Sequence, residues 1–254
     1  MKIYDINSLV GRIFLVTGGS SGIGRATAKL LSECGAKVVI AGRNQERLNS
    51  TLDLLSGSGH QSFSSNFSNA DEVFDWLKNV SEKVGPLDGV FHCAGVELVR
   101  PIRLTKQDHV NEVFSNSLFA AFGLARALSQ KNSMKDGGSI LFMSSVAGNS
   151  GQVGMAAYSA AKSAINGLVR PLACEFAPRK IRVNSIIAGA VNTAMHERLT
   201  AGGSGDAITK YEQMHLLGFG DVSEIANSAV FLLGPGSQWI TGSSMLVDGG
   251  YMVR

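Results

Sequence analysis

Residues 16–26 read VTGGSSGIGRA, so Gly18, Gly19, Gly22 and Gly24 follow the apolar run RIFLV at 12–16 and open the helical pattern GRATAKLLSECG at 24–35. Glycines at a strand-to-helix turn let the chain bend sharply and bring its backbone close to a ligand. The helix that follows offers unpaired N–H groups and the positive end of its dipole, a setting that suits a pyrophosphate. No Gly-Lys-Ser/Thr follows the glycines, which excludes a P-loop. Glycine-rich turns occur in many loops, so the meaning of this one rests on its surroundings.

Those surroundings alternate. KVVIAG (37–42), DGVFHCAG (88–95), SILFMSS (139–145) and IRVNSIIAG (181–189) are short apolar runs rich in β-branched residues, each the length of a buried strand. Between them lie helical patterns, ADEVFDWLKNVSEKVG (70–85) and VNEVFSNSLFAAFGLARALSQ (110–130). Gly35 is placed to cap the first helix, and Gly85 with Pro86 stops the second. Such alternation predicts a parallel sheet covered on both faces. No linker, repeat or low-complexity tract divides the 254 residues. The reading is one doubly wound α/β domain over 1–254, with ligands at the carboxyl ends of its strands.

Composition narrows the function classes. A net charge of +3 with no lysine- or arginine-rich run gives no nucleic-acid surface. MKIYDINSL (1–9) leads into no apolar leader core, and no run reaches the ~18 apolar residues that span a bilayer. These features predict a cytoplasmic protein without a membrane partner. Cys34, Cys93 and Cys174 are odd in number and far apart, and His60, His92, His109, His196 and His215 show no ligand spacing. Structural or surface roles are expected for the histidines, and no metal.

AAYSAAKSA (156–164) sets Tyr158 and Lys162 one helical turn apart on the same face. A phenol titrates near ~10 and is a poor acid at neutral pH unless a nearby cation stabilises its phenolate. Taken alone, the pair also fits an ordinary amphipathic helix with a snorkelling lysine.

Taken in order, these stretches resemble the short-chain dehydrogenase/reductase family nearly end to end. TGGSSGIG (17–24) resembles its TGxxxGxG turn and CAG (93–95) its NAG motif. Ser145 stands thirteen residues before Tyr158, as the family's catalytic serine does, and Tyr158–Lys162 matches YxxxK. RVNSIIAGAVNTAM (182–195) resembles the segment that usually carries a Pro-Gly and then a threonine, and WITGSSMLVDGG (239–250) the last strand and loop. The overall look is close to β-ketoacyl-carrier-protein reductases. The resemblance implies a Rossmann-type domain with a seven-stranded parallel sheet. It also implies an NADP(H)-dependent oxidoreductase that moves a hydride between nicotinamide and a carbonyl or secondary alcohol.

In that likeness Tyr158 hands a proton to the carbonyl oxygen in reduction and acts as base in oxidation. Lys162 favours the phenolate and holds the nicotinamide ribose hydroxyls. Ser145, rather than its neighbour Ser144, donates a hydrogen bond where negative charge develops. Cofactor contacts are implied for Gly18, Ser20, Ser21, Gly22, Ile23 and Gly24 in the turn, and for Cys93, Ala94 and Gly95 after the fourth strand. Ala188, Gly189, Val191 and Thr193 follow the sixth, with Thr193 equally placed to be a helix N-cap. Asn66, next to Phe67, sits where an aspartate often meets the adenine. Gly42 occupies the place of the acid that binds the adenosine ribose in NAD-using relatives. Arg43 follows it, a guanidinium suited to a 2′-phosphate, with Asn44 and Ser20 as neutral donors. NADP(H) is therefore expected in preference to NAD(H).

The chain also departs from the family pattern. Cys93 replaces the asparagine of NAG, which braces the central strand, Ala188 replaces the proline of Pro-Gly, and Asn66 replaces the aspartate. Ser117 stands where a fourth-helix asparagine helps a water relay protons to the lysine, and Asn116 is one residue, about 100°, away. Either Ser117 supports the relay, or the helix is locally distorted, or the relay is impaired. Pro171 should kink its helix or remove one hydrogen bond. These breaks keep an alternative open, a dinucleotide-binding module with little turnover. Residues 195–220 are expected to form a substrate lid, mobile through Gly202, Gly203 and Gly205. The substrate, a small carbonyl or alcohol, is not specified further. A carrier-protein substrate would favour a basic patch, for which Arg100, Arg103 and Lys106 are candidates, though they equally form a solvated helix face. The likeness implies a homotetramer built on the helices near 108–131 and 157–176, where Ala160 and Ala164 allow close approach.

Overall fold

The structure, a computed structural model, describes residues 7–67, 69–196 and 205–253. Its strands are β1 (Ile13–Thr17), β2 (Lys37–Gly42), β3 (Gln61–Ser64), β4 (Leu87–His92), β5 (Met134–Ser145), β6 (Arg182–Ala188) and β7 (Ser244–Val247). They form one seven-stranded sheet in the order β3-β2-β1-β4-β5-β6-β7, parallel throughout. The chain leaves β1 toward β3 and returns to the other side of β1 with β4, so the topological switch point lies between β1 and β4. Such crevices are where open α/β sheets bind ligands. Thr17 pairs with His92 there, and Ser145 ends the next strand, in register with Ala188.

The period of two along each strand decides which helix it meets. Leu15, Val39, Val90 and Phe142 point to one face, where α3 (Ala70–Val84), α5 (Ala120–Leu128) and α6 (Ala156–Phe176) cover them. Phe14, Val16, Val38 and Phe91 point to the other, under α1 (Gly22–Glu33) and α8 (Val222–Leu233). Phe14 and Phe91 are fully buried, so truncating either to alanine should cost about 3–5 kcal/mol. Helix boundaries follow local chemistry. The carboxamide of Asn69 accepts the Glu72 N–H at 2.9 Å to start α3, and Gly85, at φ 88°, ends it. Among the described residues there are also α2 (Gln45–Leu52), α4 (Gln107–Phe114) and α7 (Gly205–Gln213).

Two helices differ from a simple periodic reading. The pattern over 110–130 is interrupted, because a π turn at Ser115–Phe119 separates α4 from α5. Helix α6, by contrast, runs through Pro171, which lies on its exposed side and removes one backbone donor without ending it.

Candidate active site

The carboxyl ends of β1, β4, β5 and β6 border a cleft of about 710 Å³. Its floor is the glycine turn. Gly18 takes φ 69°, and a Cβ there would stand 2.9 Å from the Ala94 nitrogen, so the backbone of the Cys93–Ala94–Gly95 segment lies directly on the turn. A Cβ at Gly24 would collide with the Gly18 carbonyl. Ser21, the N-cap of α1, makes no side-chain cap bond, and the first turn holds no acid. The N–H groups of that turn are therefore left for a ligand, and Gly22, Ile23 and Gly24 line the cleft. Thr193 stands opposite, its methyl 3.4 Å from where a Gly22 Cβ would be, while its hydroxyl accepts the His196 N–H at 3.1 Å. Thr193 thus caps a turn and borders the cleft together. Bare glycine backbone, an uncapped helix start and an elongated cleft are a donor set that fits a dinucleotide.

At the outer end Gly42, Arg43 and Asn44 line the cleft, joined by Arg47, which the sequence reading missed. Its signal was positional: Arg47 is three residues past the N-cap Asn44, whose side-chain oxygen accepts the Arg47 N–H at 2.8 Å. Asn44 therefore spends its acceptor on the helix and keeps its N–H groups. Ser20 Oγ would meet a Gly42 Cβ at 3.3 Å. Ser65 and Phe67 line this end, whereas the Asn66 side chain is exposed and is not among the cleft residues. Alternation in an extended segment sends Asn66 the opposite way from its two neighbours.

Ser145, Tyr158 and Lys162 come together at the inner end. Ser145, the last residue of β5, lies against the Tyr158 phenol, where it acts to lower the phenol's pKa, and its oxygen accepts the Ala147 N–H at 3.2 Å. Ser144 faces the other way and donates to the Lys162 carbonyl at 3.0 Å, which pins α6 to β5. Lys162 is 4% exposed and its ammonium donates to the Met143 carbonyl at 3.0 Å. Burial pushes the lysine down to about 8 and the Tyr158 phenol up to about 12, the latter opposed by Ser145 and reinforced by the Glu97 carboxylate. Tyr158 is thus held as a protonated acid. Burial outweighs the help a neighbouring ammonium would give its phenolate. Cys93 is half-buried, and loss of solvent around its sulfur pushes the thiol up to about 12, which leaves it an uncharged lining group.

The π turn resolves the register question at Ser117. Asn116 lines the cleft and donates to the Glu112 carbonyl at 2.9 Å, and Ser117 is buried behind it. Ser117 Oγ finds no hydrogen-bond partner among the described residues. A Cβ on Gly95 would lie 3.5 Å from Lys162 Nζ and 3.7 Å from Ser117 Oγ, so both atoms open onto one methyl-sized space. Helix distortion and a serine beside the lysine are both found. Ala188 also fits its place, because it lies inside the β6 ladder, flanked by Ser145 and Val247.

Part of the expected lid, residues 197–204 with Gly202 and Gly203, lies outside the described residues. The remainder is helix α7 and a turn held by His215, whose Nε2 accepts the Ala190 N–H at 3.1 Å. His215 also stacks obliquely on Tyr251, with ring centres 4.7 Å apart. Gln152 donates to the Tyr251 hydroxyl at 3.1 Å, and Gln152, Tyr211 and Tyr251 line the inner end of the cleft.

Comparison with known proteins agrees with this fold. The family model described as enoyl-(acyl carrier protein) reductase matches residues 18–252. Carbonyl reductase family member 4 of Danio rerio is 34% identical over 95% of this chain and 98% of its own. The 3-oxoacyl-[acyl-carrier-protein] reductase of Vibrio cholerae is 31% identical over 97% of this chain and 100% of its own. The crystal structure of a blue fluorescent protein from a metagenomic library, in complex with NADPH, superposes with a TM-score of 0.87 at 28% identity, covering 96% of this chain and 99% of that one.

Proposed function

The chain belongs to the short-chain dehydrogenase/reductase family, oxidoreductases that interconvert CH–OH and C=O groups, and from that premise we propose an NADP(H)-preferring enzyme in which Tyr158 is the acid and base. The observation that carries this reading is Ser145 set against the Tyr158 phenol with the Lys162 ammonium buried beside them, in the cleft that the glycine turn floors. When bound, the nicotinamide cofactor supplies or accepts the hydride.

The chain's own residues do the rest. Ser145 Oγ donates to the substrate oxygen and stabilises charge that grows on it. Tyr158 Oη holds the proton that this oxygen takes up in reduction, and takes one back in oxidation. Lys162, anchored to Met143, keeps positive charge behind the phenol, where a departing proton leaves negative charge. Ser117 Oγ, on the space it shares with Lys162, is the next polar group along which a replacement proton travels. Among the described residues, the lining of the outer end holds Arg43 and Arg47 and no carboxylate, which supports a 2′-phosphate over a bare ribose hydroxyl. Gln152, Tyr211 and Tyr251 offer polar and aromatic contacts to a small carbonyl substrate.

No helix among the described residues is long and apolar enough to cross a membrane. Assembly as a homotetramer through the α4–α5 and α6 helices remains part of this proposal, supported by Phe119 and Phe122, which are 40% and 46% exposed. A monomer mass by light scattering at micromolar concentration would refute it.

The function is tested with a panel of ketones and their alcohols, assayed against NADPH and NADH. Turnover with NADPH on at least one pair is expected. Tight NADPH binding without turnover on any pair would favour a dinucleotide-binding module.

A further inference from the structure

His92 ends β4 directly beneath the site and is 2% exposed. Its Nε2 lies 3.0 Å from the Ser117 carbonyl oxygen, and its Nδ1 lies 2.8 Å from Thr17 Oγ1. A carbonyl only accepts, so Nε2 carries the ring proton. In the neutral ring Nδ1 is then an acceptor, and the Thr17 hydroxyl must donate to it. Thr17 Oγ1 itself accepts the Ala94 N–H at 3.1 Å, which leaves its proton free to do so. One ordered chain results, from Ala94 N–H through Thr17 and His92 to the Ser117 carbonyl. It runs from the backbone on the glycine turn to the π turn in the next helix.

The surroundings keep that chain in one state. Phe67 and Phe142 pack edge-on against the ring at 6.4 Å, and the Lys162 charge repels a second ring proton. Burial is the larger cause and pushes the imidazole down to about 4, although the bond to the Ser117 carbonyl acts to raise it, so the ring is neutral near pH 7. A π turn displaces carbonyls from the ordinary helical ladder, and a side-chain donor at one of them helps to hold the wide turn. That wide turn is what seats the unpartnered Ser117 Oγ on the space facing Lys162.

We propose that His92 is a positioning residue for the acid–base site, clamping the Ser117 carbonyl to Thr17 so that Ser117 Oγ is fixed beside Lys162. The proposal rests on the reading of Ser117 as part of the proton path.

Two substitutions separate the clamp from mere packing. His92→Gln keeps an amide N–H that reaches Ser117 and an oxygen for Thr17; His92→Asn keeps the contact with Thr17 and falls short of Ser117. With NADPH and the best ketone of the panel, His92→Asn should lower kcat about tenfold with KM and the NADPH dissociation constant within about twofold. His92→Gln should recover most of the loss. Ser117→Ala should lower kcat similarly, and the His92→Asn/Ser117→Ala double variant should be no slower than the worse single. A normal kcat for His92→Asn, or additive losses in the double variant, overturns the clamp alone. A normal kcat for Ser117→Ala overturns the reading of Ser117 and the clamp with it. Independently of turnover, nitrogen NMR of labelled histidine in the native protein should show His92 protonated at Nε2 alone, without titration from about pH 8 to 5.5. A ring that titrates in that range, or one protonated at Nδ1, overturns it as well.

Discussion

The ammonium of Lys162 stands 5.6 Å from the centre of the Tyr158 ring, one helical turn below it. The ammonium's own hydrogen bond goes to the Met143 carbonyl. The side chain that acts to lower the tyrosine's pKa is Ser145, across the cleft on β5.

Removing the phenol oxygen should therefore stop catalysis without opening the site. Tyr158→Phe keeps the ring and deletes only the proton donor, and a lost acid–base group costs about 10²–10⁴ in rate. We expect carbonyl reduction to fall by at least a hundredfold while NADPH affinity, measured by fluorescence titration, stays within about twofold. Turnover near that of the native protein would refute the role.

Lys162→Met should trade activity for stability. The lysine is lowered from 10.5 to about 8 by burial, so folding works against its charge at neutral pH by roughly 3 kcal/mol. Between pH 8 and 10 the unfolded chain binds the proton more than the folded one, so native stability rises with pH across that window. The variant should melt a few degrees higher than the native protein at pH 7, and the gap should narrow toward pH 10. Melting curves for both at several pH values check this. A variant that melts lower at pH 7 contradicts it.

Arg43→Ala should weaken NADPH binding by about tenfold or more and leave NADH binding nearly unchanged, because only the former has a 2′-phosphate to lose its partner. Arg47 lines the same end and should carry part of the remaining preference. Equal dissociation constants for the two cofactors in the native protein would end this assignment.

Acid should find His92. Its imidazole is lowered from 6.5 to about 4, chiefly by burial, so below pH 6.5 the unfolded chain takes up a proton that the fold refuses. Native stability from this group is present above that pH and is lost as pH falls toward 4. Denaturant midpoints of the His92→Gln variant should decline less steeply over this range than those of the native protein. Parallel slopes would show that other groups carry the acid limb.

The legible parts of the molecule are those where one local rule acts alone. β2, β4 and β6 are buried on both faces, and the short apolar runs VVIA, GVF and IIA within them declare them. β3 reads QSFS, an edge strand with two exposed positions, and its sequence carries no such run. Helix α2 escaped notice because it buries only Leu48 and Thr51. The Tyr158–Lys162 spacing was readable because it is fixed along one helix, whereas Ser145, on β5, was readable only through its offset in the family's pattern. The π turn was not, since nothing in SNSLF demands it and its partner, His92, lies 25 residues away in the chain. Arg47 was hidden for a related reason: it enters the cleft only because Asn44 starts a helix there.

Lys162 is fastened to β5 twice, by its carbonyl through Ser144 and by its ammonium through Met143. A lysine side chain ordinarily gives up about 2 kcal/mol of rotamer freedom when it is ordered. Here that freedom is surrendered during folding, before any ligand arrives. Binding then meets an ammonium already stationary, and the entropy that a surface lysine would lose at each encounter does not recur from one catalytic cycle to the next.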